Sequence, residues 1–471
     1  MKSFEYTGIW WLPDNPDKRI SGTLKFDPVD GASLDLIGSF KEFLKPGPIN
    51  MGGMQELDII VGVTANGKLV TLHQCVESKT HLSMPGFTSS SFYVGMVFVG
   101  HHFNKDEDIV FDSLSINYTY LEDWTRITGL KPSLKFDKEN GLDKFELSYS
   151  YPEKVEADLA KFKLSLDYSF NQGGDMLKKV EVSHHTYIKI QPKKALHFDD
   201  YYKDILYHLQ NFLSLAVSKP IYPLAIRGKN SDCKTTLNTG KEFFDDILIY
   251  YRLRKLPDTS KILLHPGDMF FCYSNIASDF ENCLNNWFSK ADLLAPIYDL
   301  YFATLYGSEM YLQHEFLSLA QAVESYHRRV FGGQYVDEAG YKPLYDELIQ
   351  AIPAKIDSGF RESMKQRMKY LHEFSLRKRL EELFENQNDL FKKIIPSPST
   401  FIEAVVDTRN FLTHYDKDLE SKVKKGNKLY KITKQLKFLL EIYFLIELGI
   451  SEDNIKQLIA FDERYGYLST M

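Results

Sequence analysis

From residue 4 to about 190, apolar and polar positions alternate in short runs broken by turn residues, the period of strands that bury one face. The runs predict strands at Tyr6–Leu12, Arg19–Phe26, Ser33–Phe40, Leu57–Val63, Leu69–Val76, Phe92–Phe103, Ile109–Tyr120, Phe145–Tyr151, Phe162–Phe170 and Val180–Ile190. In Gly22-Thr23-Leu24-Lys25-Phe26, Leu24 and Phe26 share one face. Pro13/Pro16, Pro28, Asp30-Gly31, Pro46 to Pro48, Asn66-Gly67 and Gly173-Gly174 supply the punctuation. The expected product is an antiparallel, sandwich- or barrel-like module.

The period changes near Phe198. Asp199–Val217 reads as helix, stopped by Lys219-Pro220 and Tyr222-Pro223, and Phe243–Leu256 and Ile262–Phe271 read as two more strands. From Asn275 onward the spacing is helical over Ala277–Ser289, Ala295–Leu305, Glu309–Phe331, Lys342–Ile352, Asp357–His372, Leu376–Phe391, Thr400–His414, Lys428–Leu448 and Asp453–Arg464. Gly332-Gly333, Pro353, Pro396/Pro398 and Gly449 separate these segments. The expected fold class is therefore α+β multidomain. A β-rich module covers 1–195, a mixed α/β connecting segment counted with it covers 196–295, and an all-α bundle covers 296–471.

Of the 471 residues, 44% are hydrophobic and 26% charged, which excludes a disordered or fibrous chain. No run reaches the ~18 apolar residues of a membrane span. The most apolar stretch, Phe438 to Ile450, is interrupted by Glu441 and Glu447. The first residues, Met1-Lys2-Ser3-Phe4-Glu5, lack an apolar signal region, so a cytoplasmic location is expected. Cys75, Cys233, Cys272 and Cys283 lie far apart with no C-x-x-C, as free thiols in a reducing compartment would. The net charge is −7, so any nucleic-acid contact has to come from a local patch.

Most polar constellations fail on chemistry. Gly62 to Lys68 matches the start of a phosphate loop, but Leu69 stands where Ser or Thr is needed, and Asn66-Gly67 fits a hairpin turn better. His101-His102 and His184-His185 are neighbours on predicted strands and point to opposite faces, so neither pair converges on a metal. No metal site and no cofactor is expected.

One segment stands out, Phe401 to Tyr415, containing Arg409-Asn410-Phe-Leu-Thr-His414. At ~100° per residue, Phe401, Val405, Thr408, Leu412 and Tyr415 fall on one core stripe. Asn410 and His414 fall on the opposite side and Arg409 on the flank, about 140° from His414. A solvated salt-bridging face accounts for this spacing as well as a catalytic site does. The neighbouring charges add weight to the catalytic reading. Between residues 417 and 437 stand eight lysines, Lys417, Lys422, Lys424, Lys425, Lys428, Lys431, Lys434 and Lys437, against Asp418 and Glu420. Such a run supplies the footprint for a phosphate backbone. On the helix Leu312–Val330, with Leu312, Phe316, Leu319, Val323 and Val330 expected inside, Glu324 and Arg328 sit four apart on the flank. They read either as an ordinary i,i+4 pair or as a carboxylate that orients the Arg or His.

Arg409-Asn410-Phe-Leu-Thr-His414 resembles the R-x4–6-H motif of the HEPN ribonucleases, and Glu324-Ser-Tyr-His-Arg328 resembles the E-x3-K/R element of an earlier HEPN helix. Gly8-Ile-Trp-Trp-Leu-Pro13, Ser21-Gly-Thr-Leu-Lys-Phe-Asp-Pro28 and Leu34-Asp-Leu-Ile-Gly38 resemble the β-rich domain that precedes HEPN in ApeA-type anti-phage proteins. The resemblance implies metal-independent RNA cleavage, tRNA being a plausible target, by two protomers whose R-x4-H helices meet across a two-fold axis. It also implies abortive anti-phage defence, a phage-derived activator and a homodimer or higher homo-oligomer, with no membrane partner. In that reading Arg409, His414 and Asn410 are catalytic, Glu324 and Arg328 support them, and Lys417, Lys422, Lys424, Lys425, Lys428 and Lys431 bind RNA. Since one ideal helix does not focus Arg409 and His414 on one phosphate, either its end is distorted or the Arg of one chain meets the His of the other. Two rivals remain: a non-catalytic HEPN-like module that binds RNA or dimerises, and a β-rich ligand-binding protein using Trp10 or Trp11 whose helices only oligomerise.

Overall fold

The computed structural model describes residues 1–41, 54–83, 86–137, 141–175, 177–236, 242–253, 263–307 and 309–469. Two compact units emerge, one of Met1–Pro266 with Cys272–Glu281 and one of Gly267–Phe271 with Asn282–Met471.

The first unit is built on six strands, β1 (Phe4–Leu12), β2 (Asn15–Asp27), β3 (Gly31–Leu36), β4 (Glu56–Thr64), β5 (Leu69–His81) and β6 (Ser89–Val99). They pair antiparallel in the order β6-β3-β2-β1-β4-β5, and β5 pairs back onto β6, which closes a barrel and removes its free edges. Alternation sets what lies inside. Ile20, Leu24 and Phe26 of β2 are buried while Ser21 and Lys25 are exposed. Trp10 is fully buried, which removes it as an exposed contact residue. The β1–β4 pair closes around it: a Cβ on Gly62 of β4 would stand 2.3 Å from Trp10 Cε3, so only glycine fits there. Trp11 lies half-buried under Arg19, whose guanidinium is 4.8 Å from the ring centroid. The Asn66-Gly67 turn is a hairpin between β4 and β5, with Gly67 at φ 76°.

From β6 the sheet continues through β12 (Ile247–Tyr251), β11 (Pro223–Lys229), β7 (Ser113–Tyr118), β10 (Val180–Pro192), β9 (Phe162–Gly174) and β8 (Val155–Asp158). A separate hairpin joins Leu130–Asp137 to Gly141–Tyr149. The helix α1 (Tyr207–Val217) extends an irregular helical entry from Phe198 and is buried along most of its length.

Several expectations need correction. Residues 263–271 form no strand; Pro266-Gly267-Asp268 is a short 3-10 turn instead, since proline and glycine there prevent a ladder. Leu130–Asp137 and Pro223–Lys229 are strands that the spacing did not disclose, each carrying a proline. His101-His102 lies just beyond β6 rather than in it, and the His102 ring nitrogen Nε2 contacts the Gly62 carbonyl at 2.8 Å. The four cysteines agree with expectation: all are buried and no disulfide joins them. The Pro46 to Pro48 turn, residues 254–256 and Ile262 lie outside the described residues.

The second unit is helical: α2 (Ala291–Tyr306), α3 (Leu312–Val330), α4 (Glu338–Ala351), α5 (Ser358–Met368), α6 (Leu376–Phe391), α7 (Pro398–His414), α8 (Gly426–Glu447) and α9 (Glu452–Phe461). The second half of α8, from Phe438, is apolar nearly all round, as a helix enclosed by others must be, and Leu436, Phe438, Leu439, Leu440, Ile442, Phe444 and Leu445 are fully buried. α3 packs against α2, α6, α7 and α8. Phe316, Leu319 and Val323 of α3 are buried as the spacing predicts, whereas Leu312 and Val330, its first and last residues, are half-buried.

The two glutamates that break the apolar run of α8 both have partners, Glu441 buried and Glu447 half-buried. Glu441 is fully enclosed, accepting from the Tyr301 hydroxyl at 2.5 Å and the Tyr465 hydroxyl at 2.7 Å, with Arg464 Nη2 at 3.2 Å and Lys437 Nζ at 3.9 Å. Burial pushes its carboxyl up, but Arg464, Lys437 and the two hydroxyls outweigh that and hold it below the usual carboxylate range. Glu447 accepts from Lys290 Nζ at 2.8 Å and from the Tyr326 hydroxyl at 2.7 Å.

Candidate active site

α7 begins with Pro398, whose missing N–H would be unpaired in the first turn in any case. It runs without a break through His414 and ends where Tyr415 turns left-handed at φ 52°, its N–H donating to the Phe411 carbonyl at 2.6 Å. Phe401, Ile402, Ala404, Val405 and Thr408 face the core. The core stripe stops there. Leu412 is half-buried, and Tyr415 is 69% exposed rather than buried. The left-handed backbone interrupts the ~100° progression that would have carried Tyr415 inward.

Arg409 and Asn410 are half-buried on the flank of α7, and the Arg409 Nη1 donates to Asn410 Oδ1 at 3.2 Å. Across from them on α3, Glu324 Oε2 lies 3.5 Å from Arg409 Nη2, while Glu324 Oε1 lies 3.6 Å from Arg328 Nη2. Arg409, Asn410, Glu324 and Arg328 are thus one cluster drawn from two helices. Single exposed ion pairs of this kind contribute little stability. Their effect is placement: Glu324 is held between two guanidiniums, and Arg409 is held with part of its fork towards solvent, its side chain 36% exposed.

His414 is not in that cluster. It is exposed on the last turn of α7, five residues and about 140° round an unbroken helix from Arg409. Distortion within the helix is therefore absent, and the turn that does deviate begins only at Tyr415.

After α7 the chain is tied back by the Lys424 N–H, which donates to Thr408 Oγ1 at 3.1 Å. Lys417, Lys422, Lys425 and Lys428 are exposed, and Lys424 and Lys431 are half-buried. The remaining two lysines of the run are turned to other work. Lys434 Nζ is 2.8 Å from Glu315 Oε1, and Lys437 is committed to the buried Glu441, with burial lowering its pKa.

The sequence reading missed three residues behind the cluster. His327 and Arg379 are fully buried, and Glu373 pairs with both Arg328 and Arg379. His327 stands four residues after Val323 on the inward stripe, a signal the spacing carried; Glu373 and Arg379 lie outside any motif.

Two family models match the chain. The ApeA N-terminal domain 1 model matches residues 5–287, more than half of the sequence. The chain belongs to the ApeA family. The Apea-like HEPN model matches residues 317–454, a span that holds Glu324, Arg328, Arg409, Asn410 and His414. HEPN families generally comprise ribonucleases, and the two matches together indicate an anti-phage effector of ribonuclease type. No curated protein and no solved structure matches the chain. Among the described residues no helix is long and apolar enough to cross a membrane.

Proposed function

We propose that the helical unit is a metal-independent endoribonuclease acting in anti-phage abortive infection, with its site assembled from Arg409, Asn410 and His414. The observation that carries the reading is the division on α7: a half-exposed arginine fixed by Glu324 and Asn410, and an exposed histidine on the same helix's last turn. RNA brings its own nucleophile, the 2′-OH. His414 takes the proton from that hydroxyl as general base, or returns one to the departing 5′-oxygen as general acid. Arg409 donates to the non-bridging oxygens as negative charge builds on the phosphorus. Asn410 keeps the Arg409 fork oriented. Lys417, Lys422, Lys424, Lys425, Lys428 and Lys431 draw in the phosphate backbone, of tRNA or another structured RNA. The ~140° separation along an unbroken helix favours a site shared between two copies, the Arg of one beside the His of the other. The β-rich unit would receive the activating, phage-derived signal, and the protein would work in the cytoplasm.

The test is cleavage of total RNA by purified protein in EDTA, beside His414→Ala and Arg409→Ala. Cutting that persists in EDTA, spares DNA and leaves 2′,3′-cyclic phosphate ends, and that both substitutions abolish, is the expected result. Strict Mg²⁺ dependence, or DNA cut at a similar rate, overturns the mechanism. RNA bound by wild type and never cut points to the non-catalytic module.

A further inference from the structure

We propose that Glu373 is a positioning residue for Arg409, acting through Arg328 and Glu324. This rests on reading Arg409 as the phosphate-binding cation.

α3 ends at Val330 and is followed by Gly332 and Gly333, both left-handed, and the chain returns past Glu373 into α6 after α4 and α5. The outgoing and returning segments pair: the Tyr335 N–H donates to the His372 carbonyl at 2.8 Å, and the Phe374 N–H to the Gly333 carbonyl at 3.0 Å. Arg379, fully buried, locks this junction. Its Nε donates to the Phe374 carbonyl at 3.0 Å, and its Nη1 donates to the Gly332 carbonyl at 2.9 Å and to His327 Nδ1 at 3.2 Å. Because Nδ1 accepts, the proton of a neutral His327 sits on Nε2, which donates to Glu382 at 2.8 Å. There is no slack in the clamp: a Cβ on Gly333 would lie 2.8 Å from both Arg379 Nη1 and His327 Cε1.

The clamp delivers one carboxylate to the site. Glu373 Oε2 lies 3.6 Å from Arg379 Nη2 and accepts a hydrogen bond from Arg328 Nη1. Charges then alternate outward from the buried Arg379 through Glu373, Arg328 and Glu324 to Arg409. Glu373 holds Arg328 more closely than Glu324 does, at 3.6 Å, and so leaves Glu324 Oε2 to Arg409 at 3.5 Å. Without the Glu373 charge, Arg328 has Glu324 as its remaining acidic neighbour and competes with Arg409 for it.

The experiment measures Arg409 itself. Full-length wild type, Glu373→Gln, Arg328→Gln and the double variant are exposed briefly to phenylglyoxal, and the adduct on Arg409 is quantified by peptide mass spectrometry. Melting curves and RNA cleavage are recorded in parallel. Expected in Glu373→Gln is several-fold faster modification of Arg409 at a melting temperature close to wild type, with kcat down about tenfold and KM little changed. Adding Arg328→Gln should return Arg409 to wild-type reactivity, because the competitor is gone, an outcome that a general loosening of the fold does not produce. Unchanged Arg409 reactivity in Glu373→Gln, or no return in the double variant, overturns the proposal. Should Glu373→Gln fail to fold, Arg328→Gln alone decides: Arg409 modified faster than in wild type refutes competition, and modification equal or slower supports it. A wild type that never cuts RNA while these reactivities shift as stated removes the ribonuclease reading and leaves the positioning intact.

Discussion

Mixing two dead chains tests the shared site most directly. Arg409→Ala removes the cation and His414→Ala removes the proton carrier, and neither side chain is part of the buried stripe of α7. In a two-fold dimer whose sites each combine the Arg of one chain with the His of the other, a heterodimer of the two variants holds one intact site and one empty of both groups. Random exchange at equal concentrations makes half of the dimers mixed, so activity should return to about a quarter of wild type. If Arg and His of one chain served the same phosphate, the heterodimer would contain no intact site and recovery would be nil. The assay is cleavage of a fluorescent RNA after co-refolding or prolonged exchange, with the mixed dimer verified by differential tags. The unbroken helix through His414 and its ~140° offset from Arg409 lead to the first outcome. A verified mixed dimer with no recovery, or a monomer cutting at full rate, refutes the reasoning.

Replacing the exposed Lys417, Lys422 and Lys428 with Ala should weaken RNA binding and lower the slope of log affinity against log salt by about 2, measured by anisotropy titration; Lys434→Ala, already paired to Glu315, should leave the slope alone. Glu441→Gln should cost about 3 kcal/mol or more in denaturant unfolding at pH 7, because it leaves Arg464 and Lys437 without their shared buried carboxylate. Since the folded Glu441 carboxyl is held below its ordinary value, its contribution is present above an unfolded pKa of about 4.3 and is lost as pH falls through the lower folded value, so the gap between variant and wild type should shrink in acid. Gly62→Ala, which sets a methyl against Trp10, should destabilise the barrel by about 1–3 kcal/mol, read from the melting transition by tryptophan fluorescence.

Elements whose burial is one-sided were legible in the sequence through their period. β2 alternates because one face meets the barrel interior, and α3 carries Phe316, Leu319 and Val323 on one stripe because its other side meets water. Barrel closure was beyond that signal: alternation says which face is buried, while the β5–β6 pairing that closes the ring joins strands whose spacing is equally consistent with an open sandwich. Tyr415 was misplaced for a local reason, a left-handed residue that ends the helix one step before the stripe would have buried it. The lysine run misled in the other direction. Charge counting treats its members alike, yet α8 turns Lys434 and Lys437 towards Glu315 and Glu441 because by those positions the helix has entered the bundle.

The candidate site shows the same limit more sharply. Arg409, Asn410 and His414 are found together by spacing because they share one helix, and Glu324 with Arg328 because they share another. That Glu324 faces Arg409 is a fact of how α3 and α7 pack, and that Arg328 is drawn towards Glu373 depends on a chain return some forty-five residues away. The return is fixed by Arg379, a charge with no exposed surface whose donors are spent on main-chain carbonyls that glycines 332 and 333 bring within reach. A buried arginine satisfied in this way is costly to move. It makes the inner end of the charge chain the stationary end, so a disturbance of Glu373 is passed outward to the half-exposed Arg409 instead of being absorbed in the core.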